Sequence, residues 1–297
     1  MPQEVYTDNP PVIKLEGDNI VKIDNINNYV EPGFSADDDY DGNINELVKT
    51  NLEKINDYNY KVIYTVEDSA GNNSEATREI RIIVGIVCLT FDDGPSREIT
   101  PQILDTLKEK GVNATFFING YGEDKEDIIK REAEEGNAIA LHGYSHEYST
   151  VYSDINSLMN NYYKLEQLVE KTTGQDSSKI IRFLGGTSNT ISKKYCPGLM
   201  TVAVQRVTGE GYLYVDWNID SNDAGHDANN SEAIYGNVIR ELKPGRTNVV
   251  LMHDRKEKQA TADALPKIID YCLENGYDIQ TISRDLSLNS SQHHPNN

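Results

Sequence analysis

Nowhere in the 297 residues do 18 apolar residues run together, so a membrane-spanning helix is not expected. Basic residues are scarce. Lys and Arg number 28 against 48 Asp and Glu, a net charge of −20. Nucleic acid, whose phosphates demand patches of Lys and Arg, is excluded as a partner on that ground. The acidity fits a neutral or cationic partner, or solubility alone. Cysteine is rare as well: Cys88, Cys196 and Cys272 lie far apart with no metal-type spacing. Cys88 in an apolar run and Cys272 in a helical pattern read as small core residues. The opening Met1-Pro2-Gln3-Glu4 has neither a basic region nor an apolar core, so no signal peptide is visible. Against these absences, 37% apolar residues suffice for a sizeable core, and the length suggests two domains.

The two halves follow different patterns. Residues 1–85 read as β only. Tyr60–Glu67 is rich in β-branched and aromatic residues, Asp68–Asn72 is a turn cluster, and Glu79–Val84 is a second run. Shorter strand candidates lie at Pro11–Leu15 and Ile20–Ile23. Short strands separated by turn signals predict a small sandwich. The acidic stretch Asp37-Asp38-Asp39-Tyr40-Asp41-Gly42 fits the early positions of a helix-flanked calcium loop, but its twelfth position would be Val48, where a bidentate Glu is needed. A solvated turn is the better reading.

Over residues 86–285 strands and helices alternate. Apolar strand candidates fall near Val84–Phe91, Ala114–Ile118, Ala138–Leu141, Ile180–Phe183, Tyr212–Trp217, Val249–Met252 and Ile279–Ile282. Between them run helical stripes such as Ile99, Ile103, Leu107 and Ile155, Leu158, Tyr162, Leu165, Val169. This alternation predicts a parallel sheet with right-handed crossovers, seven units forming a barrel short of the usual eight. Functional residues are then expected at the C-terminal strand ends. Residues 286–297 read as a disordered tail.

The unusual polar residues sit at those strand ends. The first candidate strand runs into Asp92-Asp93-Gly94-Pro95, the third into His142 and His146, and the sixth ends in His253. Arg182 lies on the fourth, and Asp220 and Asp223 follow the fifth. Only six histidines exist, and three of them share this rim, whereas His226, His293 and His294 fall elsewhere. Asp-Asp-Gly-Pro by itself is a good turn, and two histidines four apart by themselves are weak. Chance does not explain five segments with acid–base or metal-type residues at equivalent places. Catalytic zinc takes three ligands from His and carboxylate and leaves one position open, and Asp93, His142 and His146 supply that set. Asp92 can then take a proton from water, and His253, oriented by Asp223, can protonate a leaving amine.

In order and spacing, Thr90–Pro95, His142–His146, Arg182–Gly186, Asp220–Ala224 and Leu251–His253 resemble the five motifs of the polysaccharide deacetylase family. This is the NodB-homology domain of carbohydrate esterase family 4, and the resemblance spans residues 86–285. The first 85 residues resemble bacterial immunoglobulin-like modules through Pro10–Leu15, Tyr29–Gly33, Asp41-Gly42 and Tyr64–Asn72. The fold so implied is a distorted (β/α)7 barrel of the NodB type behind an N-terminal all-β immunoglobulin-like sandwich. The resemblance further implies that Arg182 steadies Asp92, that Leu251 lines the pocket for the acetyl methyl group, and that the Gly185 N–H occupies the oxyanion position. It implies a divalent metal, zinc or else cobalt, and a glycan substrate outside the cell or at its surface.

Three positions depart from the family pattern. Gly143 stands where Ser or Thr is usual and removes a loop-bracing hydroxyl; Leu184-Gly185 replaces a proline and an aromatic; Ala224 replaces a tryptophan. The last two predict a wider or differently walled groove. The activity so expected is metal-dependent N-deacetylation of N-acetylglucosamine units, with peptidoglycan first. The alternatives are an O-acetyl esterase acting on acetylated xylan, or a catalytically weak carbohydrate-binding surface protein. The sequence does not give the oligomeric state.

Overall fold

A strand with one face buried shows a period of two. Asn59–Glu67 has it: Val62, Tyr64 and Val66 are buried between more exposed neighbours. The computed structural model describes residues 9–296. They divide into two compact units, residues 9–84 with Glu274–Gly276 and Gly85–Leu273 with residues 277–296.

In the first unit β1 (Val12–Leu15), β2 (Ile20–Ile23), β3 (Phe34–Asp38), β4 (Gly42–Asn43), β5 (Lys49–Lys54), β6 (Asn59–Glu67) and β7 (Asn73–Ile82) form two sheets. Their orders are β1-β3-β4 and β2-β7-β6-β5. Val62, Tyr64 and Ile80 of the larger sheet pack on Ile13, Leu15 and Phe34 of the smaller one, which makes a sandwich. β5 carries no apolar alternation, and all six of its residues are exposed. It is a strand by virtue of its antiparallel pairing with β6, which is why its own sequence does not announce it. The acidic stretch is a turn. Asp38 Oδ1 accepts the N–H groups of Tyr40 and Asp41 at 2.8 Å each, and the Asp41 carboxylate accepts the N–H and the hydroxyl of Ser69.

The second unit alternates strand and helix: β8 (Gly85–Asp92), α1 (Thr100–Lys110), β9 (Thr115–Asn119), α2 (Glu126–Glu134), β10 (Ala138–Gly143), α3 (Tyr148–Val151), α4 (Ile155–Thr173), β11 (Ile180–Ile181), α5 (Leu199–Gly209), β12 (Leu213–Tyr214), β13 (Ile219–Asp220), α6 (Ser231–Glu241), β14 (Thr247–His253), α7 (Gln259–Glu274) and β15 (Tyr277–Ile279). Neighbouring strands run parallel in the order β12-β11-β10-β9-β8-β14-β13, with β15 pairing to β8. The result is the half-barrel of parallel strands expected for the NodB type. β13 is an additional short strand; two residues carry too little pattern to be read from sequence. α4 shows how sequence sets position. Asp154 caps it by accepting from Asn156 N and Ser157 N, and the predicted stripe Leu158, Tyr162, Leu165 and Val169 is its buried face. Cys88 and Cys272 are buried in this unit, and burial pushes both thiols up to about 12, so they behave as core residues.

The expectation of a disordered tail needs correction. Leu288 is buried in one core cluster with Leu286 against it, and Ser291 O accepts from Asp216 N at 2.7 Å. Burial of the two leucines offsets the entropy of ordering the segment.

Candidate active site

Asp92 ends β8, and Asp93 follows with φ of 74°, in the left-handed region that Asp tolerates better than most residues. That turn sends the adjacent carboxylates in different directions. The next residue has to be glycine: a Cβ at Gly94 would lie 2.1 Å from Asp254 Oδ2. Asp254 is wholly buried; burial first, then the charge of Asp93, raises its carboxyl to about 7.

Arg182, on the segment that follows β11, is also fully buried. Its Nη1 donates to Asp92 Oδ1 at 2.6 Å and to Thr90 Oγ1 at 2.8 Å, and Nε and Nη2 donate to the carbonyls of Val215 and Asp216. The guanidinium also lies 3.9 Å from the centre of the Phe117 ring. One oxygen of Asp92 is therefore fixed. The other is free to act, 3.9 Å from His142 Nε2.

His142 is the penultimate residue of β10 and His146 lies in the loop beyond it. Their Nε2 atoms lie 3.5 and 3.4 Å from Asp93 Oδ1, and one ligand atom from each of the three residues falls within 4.8 Å of the others. Tetrahedral bonds of ~2.0–2.2 Å separate two ligand atoms by ~3.4 Å, so the spacing fits a metal of that kind. His142 Nδ1 faces the Arg182 carbonyl at 3.0 Å, which selects the tautomer whose Nε2 lone pair points into the cluster. Burial holds His142 below its ordinary pKa and so neutral, as a ligand must be. For Asp93, burial alone would raise the carboxyl. The charges of His142, His146, His253 and Arg255 outweigh it and hold Asp93 low. Among the described residues this is the one His, Cys, Asp and Glu cluster with such spacing.

His253 ends β14 in register with Asp92 of β8, so the two residues stand side by side on adjacent strands. Its Nδ1 and backbone N both lie 2.8 Å from the carboxylate of Asp223, which is fully buried. Thr261 Oγ1 donates to the same carboxylate, and Lys258 Nζ to the Asp223 carbonyl. Burial disfavours the charged imidazole, but the hydrogen bond and charge of Asp223, then Asp92 and Asp93, outweigh it and raise the His253 pKa. Leu251 is buried two residues earlier on β14, beside Thr90 in the strand register. Gly185 is exposed with φ of +71°, and its N–H has no protein acceptor among the described residues. Asp220 is not part of the cluster: it is exposed and closes a turn by accepting from Asn222 N.

One departure from the family pattern, Gly143, has a visible counterpart. A Cβ at Gly143 would lie 2.5 Å from Asn161 Nδ2. Asn161, on α4, accepts from Ser145 N at 2.8 Å and donates to Ser145 O at 3.1 Å, so it braces the His142–His146 loop across the chain. Ala224 is exposed, and a Cβ at Gly186 would lie 2.9 Å from the Trp217 ring. The tail reaches this wall as well. His293 N–H donates to Asp216 Oδ2 at 2.8 Å, and Asp216 Oδ1 accepts from Thr187 N at 2.7 Å. Asn161, Trp217, Thr261 and His293 were not legible as site neighbours, since each arrives from a distant element with no motif of its own.

Comparison with known proteins agrees with this geometry. Residues 84–196 match the family model described as polysaccharide deacetylase, and residues 13–82 match that of the bacterial surface protein Ig-like domain. A peptidoglycan-N-acetylglucosamine deacetylase of Bacillus cereus is 33% identical over 186 residues, 62% of each chain. The Bacillus subtilis protein YheN is 32% identical over 198 residues, 64% of each. The chain thus spans a little under two thirds of the length of these relatives. The crystal structure of the catalytic domain of a peptidoglycan N-acetylglucosamine deacetylase from Eubacterium rectale superposes with a TM-score of 0.67 at 38% identity, covering 71% of this chain and 94% of that one. With that coverage and identity, on top of the strand-end constellation, the chain belongs to the polysaccharide deacetylase family.

Proposed function

We propose that this protein is a metal-dependent deacetylase that hydrolyses acetamido groups of N-acetylglucosamine units in a cell-wall or surface glycan, with peptidoglycan as the first substrate. The observation that carries the reading is the pairing of Asp92 and His253 across adjacent strands, with Asp93, His142 and His146 beside them. The names of the relatives favour peptidoglycan, and the surface-type Ig-like unit favours work outside the cytoplasm.

In this reading Asp93, His142 and His146 hold a divalent metal, zinc by donor set, or cobalt. Such an ion supplies Lewis acidity toward the acetyl carbonyl and makes water easier to deprotonate. Asp92 is the general base: Arg182 pins one of its oxygens, and the other accepts the proton of the attacking water. The Gly185 N–H, which has no protein acceptor among the described residues, would donate to the oxyanion of the tetrahedral intermediate. His253 acts as the imidazolium: its Nδ1–H donates to Asp223, and its Nε2 proton passes to the leaving amine as the C–N bond breaks. The raised pKa of His253 keeps that proton available near neutrality. Leu251 offers an apolar contact to the acetyl methyl group.

The test is acetate release, with mass spectrometry of the products, from peptidoglycan fragments, chitin oligomers, poly-N-acetylglucosamine and acetyl-xylan. Loss of acetyl from glucosamine in the wall fragments is expected. Efficient turnover of acetyl-xylan with every N-acetylated glycan untouched would make the protein an ester hydrolase instead.

A further inference from the structure

Two tyrosines sit at the ends of the short helix α3, immediately after His146, and they are used differently. Tyr152 is fully buried and its hydroxyl donates to the Leu184 carbonyl at 2.6 Å, so it pins the loop that carries Gly185. Tyr148 is half-buried, with its ring edge-on to His146 at 5.2 Å and tilted against Tyr152 at 5.7 Å. No protein group among the described residues accepts its hydroxyl proton. A phenol held by packing on two rings yet left without a partner is a donor waiting for a ligand.

Its direction is fixed by Gly185. A Cβ there would lie 3.3 Å from the Tyr148 hydroxyl and 3.4 Å from Asn189 Cβ, so the absent side chain leaves the space into which the phenol points. The Gly185 N–H, also without an acceptor, is next to it.

Building on the deacetylase reading above, we propose that the Tyr148 hydroxyl is a second hydrogen-bond donor to the acyl oxygen, paired with the Gly185 N–H. Tyr148 then does at this wall what backbone alone would otherwise do. It also makes the wall polar where glycine has left it open.

The test uses the full zinc-loaded chain and two variants, Tyr148→Phe and Tyr152→Phe. Sodium acetate, the reaction product, is titrated against each, and kcat, KM, zinc content and Tm are measured alongside. Tyr148→Phe keeps the ring and loses only the hydroxyl. It is expected to bind acetate about tenfold more weakly and to lower kcat by about 10²-fold, the low end for loss of one oxyanion donor, with KM, zinc content and Tm unchanged. Tyr152→Phe is expected to lower Tm, since it strands the buried Leu184 carbonyl. Acetate affinity and kcat within twofold of the parent in Tyr148→Phe would overturn the proposal, and so would loss of zinc or a lowered Tm in that variant, which would make Tyr148 a structural support. If the parent chain releases no acetate from any glycan, the deacetylase reading fails, while the acetate titration still decides the role of Tyr148.

Discussion

Each unit of this chain contains one fully buried arginine, and the two differ in what their carboxylate partners have left over. In the sandwich, Arg78 donates to the carbonyls of Glu16 and Gly33 and faces Glu31 at 3.5 Å. Glu31 is saturated in turn: Tyr29 and Tyr64 donate to one oxygen and Gly33 N to the other. In the half-barrel, Arg182 likewise donates to two carbonyls and a carboxylate, but only one oxygen of Asp92 is engaged. The free oxygen opens toward the His142 imidazole. A carboxylate with both oxygens engaged is a fold device; one with an oxygen left facing a cluster of histidines is prepared for chemistry.

The contrast can be broken by substitution, and the largest effect belongs to the half-barrel. Asp92→Asn should cut kcat by roughly 10²–10⁴-fold, the usual worth of a general base, while metal content measured by atomic absorption stays at the parent level. Loss of the metal in that variant would instead make Asp92 a ligand. Arg78→Met should do the reverse. It leaves the Glu16 and Gly33 carbonyls short of a donor and should destabilise the sandwich by about 2 kcal/mol in a urea titration, with kcat unaltered.

A smaller effect concerns pH. The acid must hold its proton, so activity falls as pH rises through the raised pKa of His253. Asp223→Asn removes the charge that raises it, so the alkaline limb of kcat/KM against pH should move to lower pH; a limb that stays in place would assign it to another group. The smallest expected change is in Asn161→Ala, which frees the His142–His146 loop. Metal affinity should fall about tenfold, the low end for an outer partner of a metal site, as read by competition with a chromogenic chelator.

Much of the site was legible because each part of it is local. Asp92 and Asp93 follow an apolar strand and precede Gly94-Pro95; His142 and His146 follow another; His253 ends a third. Strand alternation with helices then puts such ends on one rim without any knowledge of the fold. What stayed hidden depends on closure across the chain. β5 is a strand only through pairing with β6, and the tail is ordered because Leu288 joins a hydrophobic core cluster. Asn161 supplies a brace from a helix whose pattern gives no reason to single it out. Tyr148 reads as an ordinary tyrosine until Gly185 is seen to stand beside its hydroxyl.

The central claim, that Asp93, His142 and His146 hold the metal on which turnover depends, is tested most directly by acetate release from peptidoglycan fragments. The rate is followed before chelation, after exhaustive chelation, and after zinc is restored. The account predicts near-complete loss followed by recovery on adding one equivalent of zinc, with no recovery in Asp93→Asn at the same zinc level. An unchanged rate after exhaustive chelation, or full recovery in Asp93→Asn, would contradict it.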